Sequence, residues 1–368
     1  MKTVRRLLYR DISASVMFVA LAFLSLFYFF DFVDGLDNVG DQGPWSAVRA
    51  AALEVPGHFY ELFPIAVLIG TIYSLSRMAQ SSEFTILRTG GLGPGRALGL
   101  LAVLGAAFGL LTFVVGDFVA PVSERQAVVH KAQARGGQQL VGGGAWLKER
   151  RSTSAGERSY SVSVGGATAG GALLWIRIFE FDGDGRLLSR TEAGEGRVSA
   201  DGVWTLANAE VANWPSARSP GTPEVQIRRE ATLAWPSTLT AEVVAAAVLP
   251  LSTMTTAELW RYSAHLSDQE QAAQRYEIRF WKKALYPLAC LVMVALALPF
   301  AYMHARAGSV SFKVFGGIML GISFVLLNNL AGHIGVLSSW TPWVVAATPS
   351  LIYLLLSLAA FAWLVRYR

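Results

Sequence analysis

The sequence predicts a membrane α-plus-β protein: six transmembrane helices, three on either side of an inserted extramembrane β-domain. Three observations lead there. Of 368 residues, 53% are hydrophobic and only 15% charged, against roughly 25% charged in a soluble domain, and the mean hydropathy is +0.41. Six stretches are apolar enough to cross a bilayer, and they fall in two groups of three. Between the groups, from Asp117 to Lys283, runs a long polar segment with alternating strand patterns and turn residues.

Residues 12–30 are uncharged over 19 positions, enough at about 1.5 Å per residue for a hydrocarbon core of about 30 Å. Lys2, Arg5, Arg6 and Arg10 ahead of it mimic a signal peptide. The apolar core is too long for one, however, and Asp31-Phe32-Val33-Asp34 is no small-residue cleavage site, so this is read as a retained first span. Residues 62–76 form the second, extended back through Pro56 and His58 to Val55. Residues 97–116, 284–303, 314–332 and 340–365 lack Asp, Glu, Lys and Arg and complete the six.

Lys and Arg in the short connections set orientation. One side carries Lys2, Arg5, Arg6, Arg10, Arg77, Arg88, Arg96, Arg306, Lys313, Arg366 and Arg368, while the short loops opposite carry Arg49 alone. Both termini are therefore expected in the cytoplasm and the central segment outside. That segment reads as strands at 145–149, 159–164, 173–181, 186–192, 203–211 and 224–235, with hairpin signals at Asp182-Gly183-Asp184-Gly185 and Asp201-Gly202. An antiparallel sandwich, jelly roll or barrel follows. Leu173-Leu174-Trp175-Ile176 is apolar on both strand faces. Either the strand is buried on both sides or an interior is lined to hold something greasy. Thr255 or Thr256 caps a short helix through Trp260 and Tyr262, and a second helical run, 268–283, flows into span four. The expected division is 1–135 (three spans and a loop helix at about 82–89), 136–255 (β-domain) and 256–368 (connecting helix and three spans).

Catalytic chemistry is missing. Cys290 is the single cysteine, which excludes an intramolecular disulfide or a cysteine metal cluster. The five histidines show no pair at ligand spacing, and no G-x-S-x-G, H-E-x-x-H or paired-carboxylate pattern occurs. No lysine follows a glycine, so a P-loop cannot form. Neither a cofactor, a metal nor a nucleic-acid partner is expected.

Three features look functional. In the cytoplasmic loop 77–96, Ser81 or Ser82 can cap a helix with Glu83 in its first turn, Phe84 and Leu87 on one face and Gly90 or Gly91 at its end. A helix this short needs a surface to dock on, either the membrane interface or a partner protein. On the outer side, Arg275, Arg279 and Lys282 line one helix face beside Lys283, and Arg125, Lys131 and Arg135 flank the exit of span three. These groups either bind an anionic headgroup or snorkel to the interface. Gly105 with Gly109 and Gly317 with Gly321 are small-xxx-small pairs suited to close helix contact, and Asn328 and Asn329 should face protein or a cavity.

The chain resembles the LptF/LptG family of lipopolysaccharide export permeases over its full length. The resemblance is carried by Phe32-Val33-Asp34, Phe63-Pro64-Ile65-Ala66, Met78-Ala79-Gln80-Ser81-Ser82-Glu83 with Gly90, Gly116-Asp117-Phe118-Val119-Ala120-Pro121, Ala132-Gln133-Ala134, and Trp281 with Pro287, and it is closer to the LptG branch than to LptF. It implies a periplasmic β-jelly roll and a non-enzymatic subunit of an inner-membrane ABC transporter. The implied partners are an LptF-like permease, an LptB-like ATPase dimer, and LptC-like and LptA-like jelly-roll proteins. The coupling residues would be Ser82, Glu83, Phe84, Leu87 and Arg88, with Glu83 on the ATPase. Where enterobacterial members carry lysines near the outer end of span one, this chain has Asp31, Asp37 and Asn38. Either these carboxylates act through divalent cations, or Lys131 and Arg135 supply the charge. The other readings are an LptF-type subunit, an ABC permease for another lipid or lipoprotein, and a membrane-anchored partner-binding β-domain.

Overall fold

A computed structural model describes residues 2–36, 43–134, 144–153, 156–168, 172–199, 202–214, 225–239, 241–248, 251–265, 270–302, 310–338 and 340–366. Asp37, Asn38, Arg135, Arg306, Arg368 and most of the glycine-rich tract 136–144 lie outside them. The chain divides into a helical unit (Met1–Gly35, Ala47–Glu124, Thr255–Arg368) and a second unit (Leu36–Ser46, Arg125–Met254) that contains the sheet.

The helical unit comprises α1 (Lys2–Leu36), α2 (Pro44–Gln80), α3 (Glu83–Thr89) and α4 (Pro94–Val114). A π-helical turn (Val115–Val119) then leads into α5 (Ala120–Ala134), whose later residues belong to the second unit. After the sheet come α7 (Thr256–His265), α8 (Glu270–Tyr302), α9 (Val310–Leu337) and α10 (Pro342–Arg366). Six of these helical stretches are long and apolar enough to cross a membrane. They run beyond the uncharged stretches that announced them, because a helix that leaves the hydrocarbon goes on satisfying its own backbone. The second span is the clearest case: it begins at Pro44 and contains Pro56 and Pro64.

Packing radiates from α2, whose Phe63, Ala66, Val67, Leu68, Ile72 and Leu75 are fully buried. On α1 the buried stripe is Leu8, Ile12, Val16 and Ala20, one residue per turn. A Cβ at Gly70 would come within 2.6 Å of the Val16 backbone, so α1 and α2 touch main chain to main chain. The small-residue pairs are used inside the chain. Gly105 and Gly109 admit Leu291 and Pro287 of α8, and Gly317 and Gly321 admit Ile72 and Ile65 of α2. Asn328 is half-buried, whereas Asn329 is exposed beside an outward stripe of Phe315, Met319, Ile322, Leu326 and Leu330. The expectation of a covered site therefore fails for Asn329 within this single chain.

Among the described residues the sheet has six strands: β1 (Ala145–Thr153), β2 (Gly156–Ala167), β3 (Leu173–Phe181), β4 (Leu187–Val198), β5 (Val203–Asn213) and β6 (Gln226–Pro236). All are antiparallel and follow chain order, so among the described residues the connectivity is a meander. Gly185 (φ +80°) and Gly202 (φ +77°) turn the hairpins that their Asp-Gly signals announced. The sheet rolls on itself. Glu149 on β1 accepts hydrogen bonds from Ser237 Oγ (2.7 Å) and Thr238 N (2.8 Å), just past β6, and Tyr160 on β2 meets Trp235 on β6 edge to face at 5.8 Å. Pairing breaks in one row across the strands, at Gly165 with Trp175, Trp175 with Gly194, and Asn208 with Ala231. Trp175 and Asn208 there have φ of +52° and +51°, and the register is the same on either side of each break. The interior is lined by Leu147, Val162, Val164, Ile176, Ile178 and Leu206, with Trp204 wholly buried. Trp175 is 59% exposed, which rules out burial of this strand on both faces. The left-handed residue turns its ring outward over Gly165. Close by in sequence, α6 (Ala241–Val248) follows the last strand.

Candidate functional site

The turn from α2 into α3 is tight. Ser82 takes φ +60° to reverse the chain, and side-chain capping needs an extended residue there. Neither predicted hydroxyl caps the helix: Ser82 makes no side-chain cap, and Ser81 Oγ donates back to Met78 O at 3.3 Å. At the other end the N–H groups of Gly90, Gly91 and Leu92 donate to Ile86, Arg88 and Leu87 carbonyls, with Gly91 at φ +98°, a glycine-dependent stop.

The short helix finds its dock in the chain's own bundle. Phe84 is 2% exposed and meets Tyr302 of α8 edge to face at 5.2 Å. The Arg88 guanidinium lies over the same ring at 5.1 Å, and Leu87 packs half-buried against the core. Neither surface considered from sequence, interface or partner, is needed to hold it. What remains exposed is Glu83, Thr85, Ile86, Thr89 and, beside the Tyr302 ring, Arg88, with Ile86 66% exposed. Sequence reasoning passed over Ile86; its signal was the i, i+3 spacing from Glu83. It also missed a clasp beneath this loop. Asp11 of α1 accepts Ser74 Oγ at 2.6 Å and Arg77 Nη2 at 2.5 Å, both from α2.

The expected basic face of α8 splits up. Arg275 is exposed and Arg279 half-buried, but Lys282 turns inward to donate to the Asn328 carbonyl of α9, where Gly332 leaves it room. Lys283 is buried 3.6 Å from Asp117. Consecutive residues on a helix point about 100° apart, so the two lysines reach different neighbours. Asp117 sits on the π-helical turn and accepts both Thr256 N and Thr256 Oγ1 at 2.7 Å. Thr255 N donates to Glu258 Oε2 (2.8 Å) and Glu258 N to Thr255 Oγ1 (3.2 Å). This reciprocal capping box starts α7 and makes Thr255 the cap. In the second unit, Arg125 donates to Thr253 O at 3.1 Å and Lys131 is exposed on α5. Asp31 Oδ2 lies 2.7 Å from His58 Nε2. Arg135 and Asp37 fall outside the described residues.

The family described as "Lipopolysaccharide export system permease LptF/LptG" matches residues 6–365. The chain belongs to that family. The permease is similar to "Lipopolysaccharide export system permease protein LptG" of Escherichia coli (strain K12), 28% identical over 359 residues and 95% of each chain. It is 25% identical to the protein of the same name from Haemophilus influenzae over 361 residues, 96% of each chain. In the permease, the residues that carried the resemblance occupy structural joints. Phe63 to Ala66 form the α2 core, Met78 to Glu83 make the turn into α3, and Gly116 to Pro121 hold the π-helical turn with Asp117.

The sheet has its own charged anchor. Burial pushes the Glu149 carboxyl up, and hydrogen bonds from Arg151, Thr238 and Ser237 pull it down by more, leaving it below the usual carboxylate range. Arg151 in turn lies over the Tyr160 and Trp235 rings at 4.7 and 5.0 Å.

Proposed function

We propose that this chain is the LptG-type permease subunit of an ABC transporter that draws lipopolysaccharide from the inner membrane and passes it to a periplasmic bridge. The observation that carries the reading is the family match from residue 6 to residue 365, spanning both helix groups and the inserted sheet. The missing P-loop supports a separate, LptB-like ATPase dimer, and the outward face of α3, Glu83 with Ile86, is the contact we assign to it. The eleven-to-one distribution of basic residues supports cytoplasmic termini and a periplasmic sheet. The outward stripe of α9 and the exposed Phe18, Leu21 and Phe29 of α1 suit an LptF-like partner and the lipid's acyl chains. The edge strand β6 suits strand addition by an LptC-like or LptA-like protein.

Native mass spectrometry of the complex purified from membranes tests this reading. It should show a second permease, a soluble ATPase and a bound lipopolysaccharide mass. A complex holding only phospholipid or a lipoprotein would instead support a permease for another lipid.

A further inference from the structure

One constellation between α1 and α2 has no part in the coupling described above. Glu54 and His58 stand one helical turn apart on α2, and Asp31 meets them from α1. One ligand atom from each, two carboxylate oxygens and an imidazole nitrogen, lie within 4.8 Å of one another. We propose that Asp31, Glu54 and His58 bind a divalent metal cation.

Asp31 Oδ2 and His58 Nε2 already stand 2.7 Å apart, and Glu54 brings a second carboxylate to the same point from the turn of α2 before His58. His58 and Asp31 are 23% and 18% exposed, so these donors are partly withdrawn from water, where a dication is held more strongly by carboxylates than in bulk solvent. The donors sit on helices already locked together. Phe27 packs on the imidazole at 5.0 Å, a Cβ at Gly35 would lie 3.1 Å from Ala47, and Gly70 meets the Val16 backbone. Donors around one ion at about 2.0–2.2 Å stand roughly 3–4 Å apart, so rotamer adjustment closes the site without moving either helix. One nitrogen with two carboxylates favours Zn²⁺ or Mn²⁺ over Ca²⁺, which takes six or more oxygens.

Three protein ligands leave a coordination position open. Asp31 directly follows the uncharged stretch of α1, which places the ion at the level of lipid headgroups. There the open position takes a phosphate oxygen of the exported lipid, a step that rests on the export reading.

The full chain in nanodiscs, stripped with chelator, is titrated with Zn²⁺ alone by calorimetry and with Mn²⁺ alone by electron paramagnetic resonance. One saturable equivalent is expected, weakened at least about tenfold in Asp31→Asn, Glu54→Gln and His58→Gln, the range that even outer-shell losses reach. Glu54→Gln is decisive, because it removes one of the two carboxylates and leaves the residues of the Asp31–His58 contact unchanged. It keeps side-chain volume, and an unchanged melting temperature confirms its fold. Absence of saturable binding, or equal binding by Glu54→Gln, overturns the site. In the second arm, chelation should weaken lipopolysaccharide binding to the wild type and not to Glu54→Gln. Equal loss in both overturns the phosphate step alone, since export is judged separately by ATP-driven transfer.

Discussion

On α3, Phe84 turns inward onto Tyr302 while Ile86, two residues on, points to solvent. Substitutions at the two positions therefore separate anchoring from docking. Phe84→Ala should cost about 3 kcal/mol through its cavity and release the helix. Glu83→Ala and Ile86→Asp, on the open face, should stay within about 0.5 kcal/mol yet reduce ATPase retention. Thermal unfolding in parallel with pull-down of the ATPase checks both. Glu149 gives a second prediction at this scale. Its carboxyl is held below the ordinary value of 4.5 in the fold. The stability it adds is fully present above that value and is lost as pH falls through the lower folded one. Tryptophan fluorescence of the sheet, through Trp204 and Trp235, should report a melting temperature that drops below about pH 4.5, and Glu149→Gln should flatten that drop.

Among the elements, glycines decide how closely helices approach. A Cβ at Gly109 would come within 2.7 Å of the Pro287 carbonyl, whereas at Gly99, on the same helix, it meets nothing within 4 Å. Gly109→Ala should therefore destabilise by about 1–3 kcal/mol through overpacking. Gly99→Ala should stabilise by about 0.5–1 kcal/mol, since glycine is the poorer helix former. Detergent-phase melting of the two single variants measures the difference. The strands and spans were legible because period-two alternation and charge-free runs are local signals. What local signals cannot carry is which surface receives a side chain. The i, i+3 relation of Phe84 to Leu87 gave the buried face of α3 but not Tyr302. The i, i+4, i+7 spacing of Arg275, Arg279 and Lys282 gave a common helix face but not the α9 carbonyl that Lys282 donates to. Trp175 was unreadable for another reason: its outward turn depends on a left-handed backbone at a position where pairing lapses across neighbouring strands.

For the whole molecule, two parts of the proposal come from summed composition rather than geometry: an orientation with the basic connections in the cytoplasm, and nucleotide turnover in a partner. Cysteine substitutions at Thr89, on α3, and at Trp146, exposed on β1, should label from opposite sides of the membrane in a chain whose own Cys290 is buried. Labelling of both from one side would invalidate the orientation.

The account's central claim is that a permease without nucleotide chemistry is driven by a separate motor through the outward face of α3. Its most direct test is ATP-dependent release of lipopolysaccharide from proteoliposomes holding the assembled complex to a soluble jelly-roll acceptor, comparing wild type with the Glu83→Ala/Ile86→Asp double variant. The account predicts release in the wild type, and in the variant loss of release with lipid still bound. Undiminished release by the double variant, or ATP turnover by this chain purified alone, would contradict it.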